Sequence, residues 1–138
     1  MRSKLLDANF ILRYLVETEQ TVPPRFKGVF PLFRDVETKK IEVWVADLVV
    51  FEVYYVLTGH YKVPRPVAVE KLSELLSFAG IHMADKELIL ACLEILSSRN
   101  VDLVDSYLAV LARKRGDGEI YSFDKDLEKL GLRLLEVK

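Results

Sequence analysis

Short apolar segments rich in β-branched residues alternate with longer helical segments along the sequence, and this alternation constrains the fold more than any other feature. The segments at 4–6, 41–45 and 81–83 are too short for helices and are predicted to be strands. A helical pattern follows each of them. Strands that alternate with helices predict an α/β fold with a parallel sheet that is covered on both faces by helices.

The remaining elements follow from proline, glycine and capping signals. The predicted helices cover 8–16, a segment from the Pro23–Pro24 pair to about Lys39, 47–58, 65–79, 86–98, 102–115 and 124–130. Two further strands are predicted at 119–123 and 132–137. Asp47 and Asp85 are predicted helix caps and Gly59 a helix stop, whereas Pro31 predicts a kink in the second helix.

The composition is that of a globular protein. The chain has 138 residues, of which 51% are hydrophobic and 30% charged, and we predict one domain over 1–138. The net charge of −1 shows no basic excess, so any binding to nucleic acid must come from local patches. The single cysteine, Cys92, excludes an internal disulfide and a cysteine-based zinc site, and its apolar context predicts a core position.

The sequence has no recognisable signal peptide and no predicted membrane span. The longest apolar stretches are interrupted by Asp47, Glu52 or Glu94. We therefore predict a soluble cytoplasmic protein that does not enter a membrane. Asn and Gln together number three, while Lys, Arg and Glu are abundant, and this bias indicates a thermophilic source.

Two aspartates follow predicted strands and are the first candidates for a functional site. Asp7 follows the strand at 4–6, and Asp124 follows the segment at 119–123. Parallel α/β sheets bind ligands at the carboxyl ends of their strands. Asp7 is also a good N-cap for the helix at 8–16, and the two roles are compatible.

Further acidic residues lie where an acid is unexpected. Glu52 lies within ten otherwise uncharged residues of an apolar helix, so either it has a functional role or it pairs with a residue such as Arg13. Asp102 and Asp105 share a helix face, and we interpret Asp102 as mainly a cap and Asp105 as functional. Of Asp124 and Asp126, one can cap the short helix while the other faces the site.

Acids from separate elements repel one another when they converge, and a divalent cation relieves that repulsion. Oxygen ligands without a histidine or cysteine cluster are typical of a hard ion, Mg²⁺ or Mn²⁺. A site of this kind suits phosphoryl chemistry, because the ion polarises a phosphate oxygen and activates water.

The order of four sequence segments resembles that of the PIN-domain ribonucleases, and among them the VapC toxins of toxin–antitoxin pairs. The segments are LLDANFILRYL, VVFEVYYVL, VDLVDSYLAVLA and IYSFDKDLEKL, and together with their spacing they extend the resemblance over essentially the whole chain. The resemblance implies a three-layer α/β/α sandwich with a central parallel sheet. It also implies a metal-dependent endoribonuclease that leaves 5′-phosphate and 3′-hydroxyl ends.

The resemblance also assigns roles to individual residues. It implies that Asp7, Glu52, Asp105 and Asp124 are the catalytic acids and that Asp7, Asp105 and Asp124 bind Mg²⁺ or Mn²⁺. We expect the supporting residues to be Asn9, Ser122, Asp102 and Asp126. The implied partners are an RNA substrate and a small antitoxin protein. The aromatic segment at 22–33 suits a homodimer or higher oligomer, or an antitoxin groove, and equally a place in the core.

Two other classes of function are weighed against the ribonuclease. A catalytically inactive PIN-like module for binding protein or RNA is disfavoured because all four acids are present. An aspartyl-phosphate phosphatase needs a second aspartate where Asn9 stands, and a receiver domain needs an early acidic pair. Neither pattern is found. A housekeeping nuclease of the same family stays open.

Overall fold

The computed structural model describes residues 3–137, and the chain divides into two compact units, Met1–Lys86 and Glu87–Lys138. The first unit contains a parallel sheet of three strands in the order β1-β2-β3. The strands are β1 (Lys4–Leu5), β2 (Val43–Trp44) and β3 (Ile81–His82). Leu5 is paired with Trp44 and Trp44 with His82, so the carboxyl ends of all three strands lie at one edge.

Four helices connect or follow these strands. They are α1 (Ala8–Val16), α2 (Val29–Glu37), α3 (Asp47–Tyr55) and α4 (Arg65–Leu76). Strand β2 alternates as its sequence predicts, because Val43 and Val45 are buried while Trp44 is partly exposed. The predicted strands and the predicted helix at 8–16 are therefore confirmed, with strands that are shorter than their apolar segments.

The segment after the Pro23–Pro24 pair differs from its prediction. A 3₁₀ turn over Pro24–Phe26 precedes α2, which begins only at Val29, so the predicted single helix is wrong. Pro31 is the third residue of α2 and so lies in its first turn, not inside a longer helix as predicted. The N–H groups in the first turn of a helix have no intrahelical acceptor, so a proline there removes no hydrogen bond.

The start and end of α3 also differ from their predictions. Ala46 occupies the N-cap position and Asp47 is the first helical residue, so the predicted cap is wrong by one position. The predicted helix stop at Gly59 is not observed either. Beyond Tyr55 the helical backbone continues as a π turn, Val56–His60, in which the amide of Tyr61 donates to the carbonyl of Val56 at 3.1 Å.

The second unit contains α5 (Lys86–Ser98, which begins at the last residue of the first unit), α6 (Leu103–Arg115), β4 (Glu119–Ile120) and β5 (Arg133–Leu134). Strands β4 and β5 are parallel, and a 3₁₀ turn over Lys125–Leu130 connects them. Buried residues of α6 and of the segment before β5 form a core cluster: Ala109, Ala112, Leu127, Leu130 and Leu132. Cys92 is buried, as predicted.

Helix α6 ends as its sequence predicts. Gly116 adopts a φ of 92°, which favours glycine, and its amide donates to the carbonyl of Ala112. Arg113 in the last turn donates to the carbonyl of Leu130 at 3.0 Å, which gives this basic residue a structural role. No helix within residues 3–137 is long and apolar enough to cross a membrane.

The predicted α/β class with parallel strands is confirmed, since every strand pair in the described residues is parallel and is connected through helical segments. That 1–138 behaves as one domain stays a prediction.

Candidate functional site

Asp7 lies at the carboxyl edge of the first sheet. It follows Leu6, whose amide donates to the carbonyl of Trp44 at 2.9 Å, and it precedes α1 directly. Its backbone has the extended conformation of an N-cap, but its carboxylate accepts no capping hydrogen bond. Asp7 therefore occupies both predicted positions, the helix start and the sheet edge, while its exposed carboxylate is not used for capping. Asn9 in the first turn of α1 is also exposed.

Glu52 is an exposed residue on α3, beside the buried residues Val50 and Val53. The alternative partner, Arg13, instead pairs with Glu17 at 3.3 Å. Within residues 3–86, no side chain forms an ion pair or a hydrogen bond with the Glu52 carboxylate. The alternative in which Glu52 pairs with Arg13 is therefore not observed, and one face of this helix is open to solvent and presents the carboxylate.

Asp47 is a residue that sequence reasoning took only for a cap. It follows β2 as Asp7 follows β1, and the pairing of Leu5 with Trp44 brings both aspartates to the same edge of the sheet. Its Oδ1 atom is buried without a hydrogen-bond partner among the described residues, and burial raises the pKa of the Asp47 carboxyl. The signal that could have revealed it is its place just after a central strand.

Asp105 lies in the first turn of α6 and is partly buried. Burial raises the pKa of its carboxyl, and the negative charges of Asp102, Asp124 and Asp126 raise it further. The second unit therefore brings together four of the acids that the sequence singled out. Asp102 occupies the N-cap position of α6, as predicted, but its side chain accepts no capping hydrogen bond.

The loop after β4 holds Asp124 through a network of short-range hydrogen bonds. The amide of Asp124 donates to the Ser122 hydroxyl at 3.0 Å, and the amide of Asp126 donates to the Asp124 carboxylate at 2.9 Å. Asp124 thus caps the 3₁₀ turn with one oxygen, while Asp126 forms an ion pair with Lys129 at 3.4 Å. Of the two acids that sequence left as alternative caps, Asp124 is the one that caps.

The donor set of these acids fits a hard cation. All the candidate ligands are carboxylate, amide or hydroxyl oxygens, which Mg²⁺ and Mn²⁺ prefer. Burial, and after it the charges of Asp102, Asp124 and Asp126, raise the pKa of Asp105, and a cation at these carboxylates would again favour the ionised form. Within either unit, however, the described residues contain no group of three or more Asp, Glu, His or Cys side chains close enough to hold an ion. The predicted ligand set stays a prediction.

Comparisons with known proteins agree with this picture. Residues 4–132 match the family model described as the PIN domain. A VapC ribonuclease of Aquifex aeolicus (strain VF5) is 27% identical over 130 residues, which cover 94% of this chain and 93% of that protein. No solved structure matches the chain.

Proposed function

Because the chain belongs to the PIN-domain family, we propose that it is a metal-dependent endoribonuclease and the toxin of a toxin–antitoxin pair. The observation that carries the proposal is the electrostatic state of Asp105. Burial and three neighbouring aspartates disfavour its ionised form, and a divalent cation at these carboxylates would reverse that penalty.

The proposed roles follow from the resemblance to the family. Asp7, Asp105 and Asp124 would hold the ion, and Glu52 would be the fourth catalytic acid. A bound Mg²⁺ or Mn²⁺ supplies Lewis-acid polarisation of the phosphate and the water. Ser122 fixes the backbone of Asp124 by accepting its amide hydrogen bond. Asn9 is proposed as a polar neighbour of Asp7, and Asp102 and Asp126 as outer acids of the cluster.

The proposed substrate is RNA, cleaved to 5′-phosphate and 3′-hydroxyl ends. The similar protein of Aquifex aeolicus is named a VapC ribonuclease, and its coverage of nearly the whole chain supports the same activity here. The proposed protein partner is a small antitoxin, and the proposed assembly is a homodimer or higher oligomer. A small upstream reading frame with an amino-terminal DNA-binding part, whose product co-purifies with this chain, would support the toxin assignment.

The test is cleavage of a structured RNA in Mg²⁺ or Mn²⁺, with and without excess chelator. Wild type should cleave only without chelator, and Asp105→Asn should lower the rate by orders of magnitude while keeping the shape of the side chain. Asp117→Asn is the matched control. It removes the same charge from the same unit, its amide oxygen can still accept the hydrogen bond from Glu119, and Asp117 does not act on the pKa of Asp105.

Two results would contradict the proposed mechanism. Cleavage that survives Asp105→Asn would show that the acid cluster is not needed for catalysis. Cleavage that proceeds unchanged in chelator would show that the ion is not needed. A protein that binds RNA but cleaves it under neither condition would instead be a catalytically inactive PIN-like binding module.

A further inference from the structure

We propose that a cavity beside Asp7, between α1 and the 22–33 segment, binds an unpaired stretch of RNA, with Arg25 contacting a phosphate and Phe10 stacking on a base. The inference deepens the proposed ribonuclease function and rests on it for the identity of the ligand. It assigns a subsite to residues that the acid cluster does not use.

The cavity has a volume of about 770 Å³ and lies entirely within the first unit. Asp7 and Phe10 line it on one side, and Arg25, Phe26 and Leu32 on the other. It therefore joins a proposed metal-binding acid to a surface of mixed aromatic and cationic character. Unpaired nucleotides can be splayed into a cavity of this kind, whereas a base-paired duplex cannot enter it.

Two guanidinium groups give the cavity its charge. The guanidinium carbon of Arg13 lies 3.9 Å from the centre of the Phe26 ring, and that of Arg25 lies 4.6 Å from it. Arg13 uses one N–H group for Glu17, whereas no acid within residues 3–86 pairs with Arg25. Stacking on a ring orients a guanidinium without using its N–H donors, so those of Arg25 stay available for phosphate oxygens.

Phe10 supplies the stacking surface. It lies on α1 next to Asn9, and 45% of its surface is exposed although it is a large apolar residue. Single-stranded nucleic acids bind to proteins through cationic grooves in which bases stack on aromatic side chains. The Phe26 ring is already covered by guanidinium groups, so Phe10 is the aromatic residue of the cavity that is free to accept a base.

Charge favours RNA over a protein segment as the occupant. The whole chain carries a net charge of −1, yet the ionisable residues of the cavity are two arginines and one aspartate. Arg13 is partly compensated by Glu17, so the guanidinium of Arg25 is the local cationic contact that a polyanion requires when the protein has no overall basic excess. A phosphate on Arg25 would also hold the neighbouring phosphodiester within the cavity that Asp7 lines.

The test measures binding of a fluorescein-labelled oligouridylate by anisotropy in excess chelator, so that cleavage does not interfere. Arg25→Gln should weaken binding and lower the slope of log affinity against log salt by about one. Lys40→Gln is the matched control, because it removes the same charge from an exposed residue beyond the other end of α2. Its affinity and salt slope should equal those of wild type.

A second pair of variants tests stacking. Phe10→Leu keeps an apolar side chain and should weaken binding by about tenfold, whereas Phe10→Tyr keeps the ring and should bind like wild type. A blunt-ended RNA duplex without unpaired nucleotides should bind more weakly than the oligouridylate and should not respond to these changes.

The outcomes separate this inference from the proposed catalysis. Equal affinities for Arg25→Gln and Lys40→Gln would overturn the subsite and leave the cavity to a protein partner, even if the enzyme cleaves RNA. Absence of cleavage in Mg²⁺ and Mn²⁺, with binding that still depends on Arg25 and Phe10, would refute the nuclease and leave the subsite standing.

Discussion

Gly80 allows a close backbone approach just before β3, and replacing it with alanine should destabilise the protein strongly. A Cβ atom on Gly80 would lie 2.3 Å from the carbonyl oxygen of Ile41 and 2.6 Å from that of Val36, where real Cβ atoms keep at least 3.0 Å. Both neighbours are backbone atoms and cannot rotate away. The chain would have to move at the junction of α2, β2 and β3.

The cost can be estimated from the contacts that such a movement breaks. The amide of Gly80 donates to Val36 at 2.8 Å, and its carbonyl accepts from the amide of Val43 at 2.8 Å. Overpacking a rigid site costs about 1–3 kcal/mol, and each weakened hydrogen bond costs about 1 kcal/mol. Alanine also restricts the unfolded chain more than glycine does, and this offsets the loss of stability by less than about 1 kcal/mol. We expect Gly80→Ala to lower the free energy of unfolding by about 3 kcal/mol.

The measurement is urea denaturation followed by circular dichroism, with Gly28→Ala as the control. Gly28 has a helical φ of −62°, and a Cβ atom there meets nothing within 4 Å. Alanine should be neutral at Gly28 or should stabilise the fold by up to about 1 kcal/mol. A Gly80→Ala protein within about 0.5 kcal/mol of wild type would refute the close approach, since substitutions away from such features rarely cost more.

Three further predictions follow from the acids and the exposed aromatic residues. In chelator at neutral pH, Asp105→Asn should melt at a higher temperature than wild type, because it removes a charge that Asp102 and Asp124 repel, and Mn²⁺ should raise the melting temperature of wild type only. Burial raises the folded-state pKa of Asp47 above its unfolded value, so the ionised group destabilises the folded state. Asp47→Asn should therefore be the more stable protein at neutral pH, and titrations of unfolding should show this advantage disappearing as the pH falls to about 4; an advantage that grows in acid would contradict this prediction. Phe123 is 92% exposed, so Phe123→Ser should change the free energy of unfolding by less than about 0.5 kcal/mol, and a larger loss would indicate that the ring is buried in an assembly.

The sequence correctly predicted the elements whose bounds depend on residues that are close together in the chain. The apolar repeat and its flanking residues predicted α1 at its observed bounds, and Gly116 with the basic residues before it predicted the end of α6. The order of strands and helices predicted parallel pairing, because consecutive parallel strands require a crossover. The same order predicted that Asp7 lies at a strand end, and the family match agrees with the fold that the resemblance implied.

The candidate site was predictable in part, to the extent that it depends on residue type and order. The sequence singled out Asp102, Asp105, Asp124 and Asp126, and the structure brings their charges close enough to act on Asp105. The sequence did not reveal which carboxylate oxygen caps which turn. That choice depends on backbone angles after β4, where the Asp126 amide points to the Asp124 carboxylate and not the reverse.

Tertiary structure decided what long-range packing determines. Asp47 resembles an ordinary cap in the sequence, and only the register between β1 and β2 places it at the edge that Asp7 occupies. The stacking of Arg13 on Phe26 joins residues of two elements, and no local pattern encodes that contact. Sequence determines which groups a chain can offer along each helix and strand. The burial, charge and neighbours of each group depend on contacts between residues far apart in the chain, and these arise only when the elements pack.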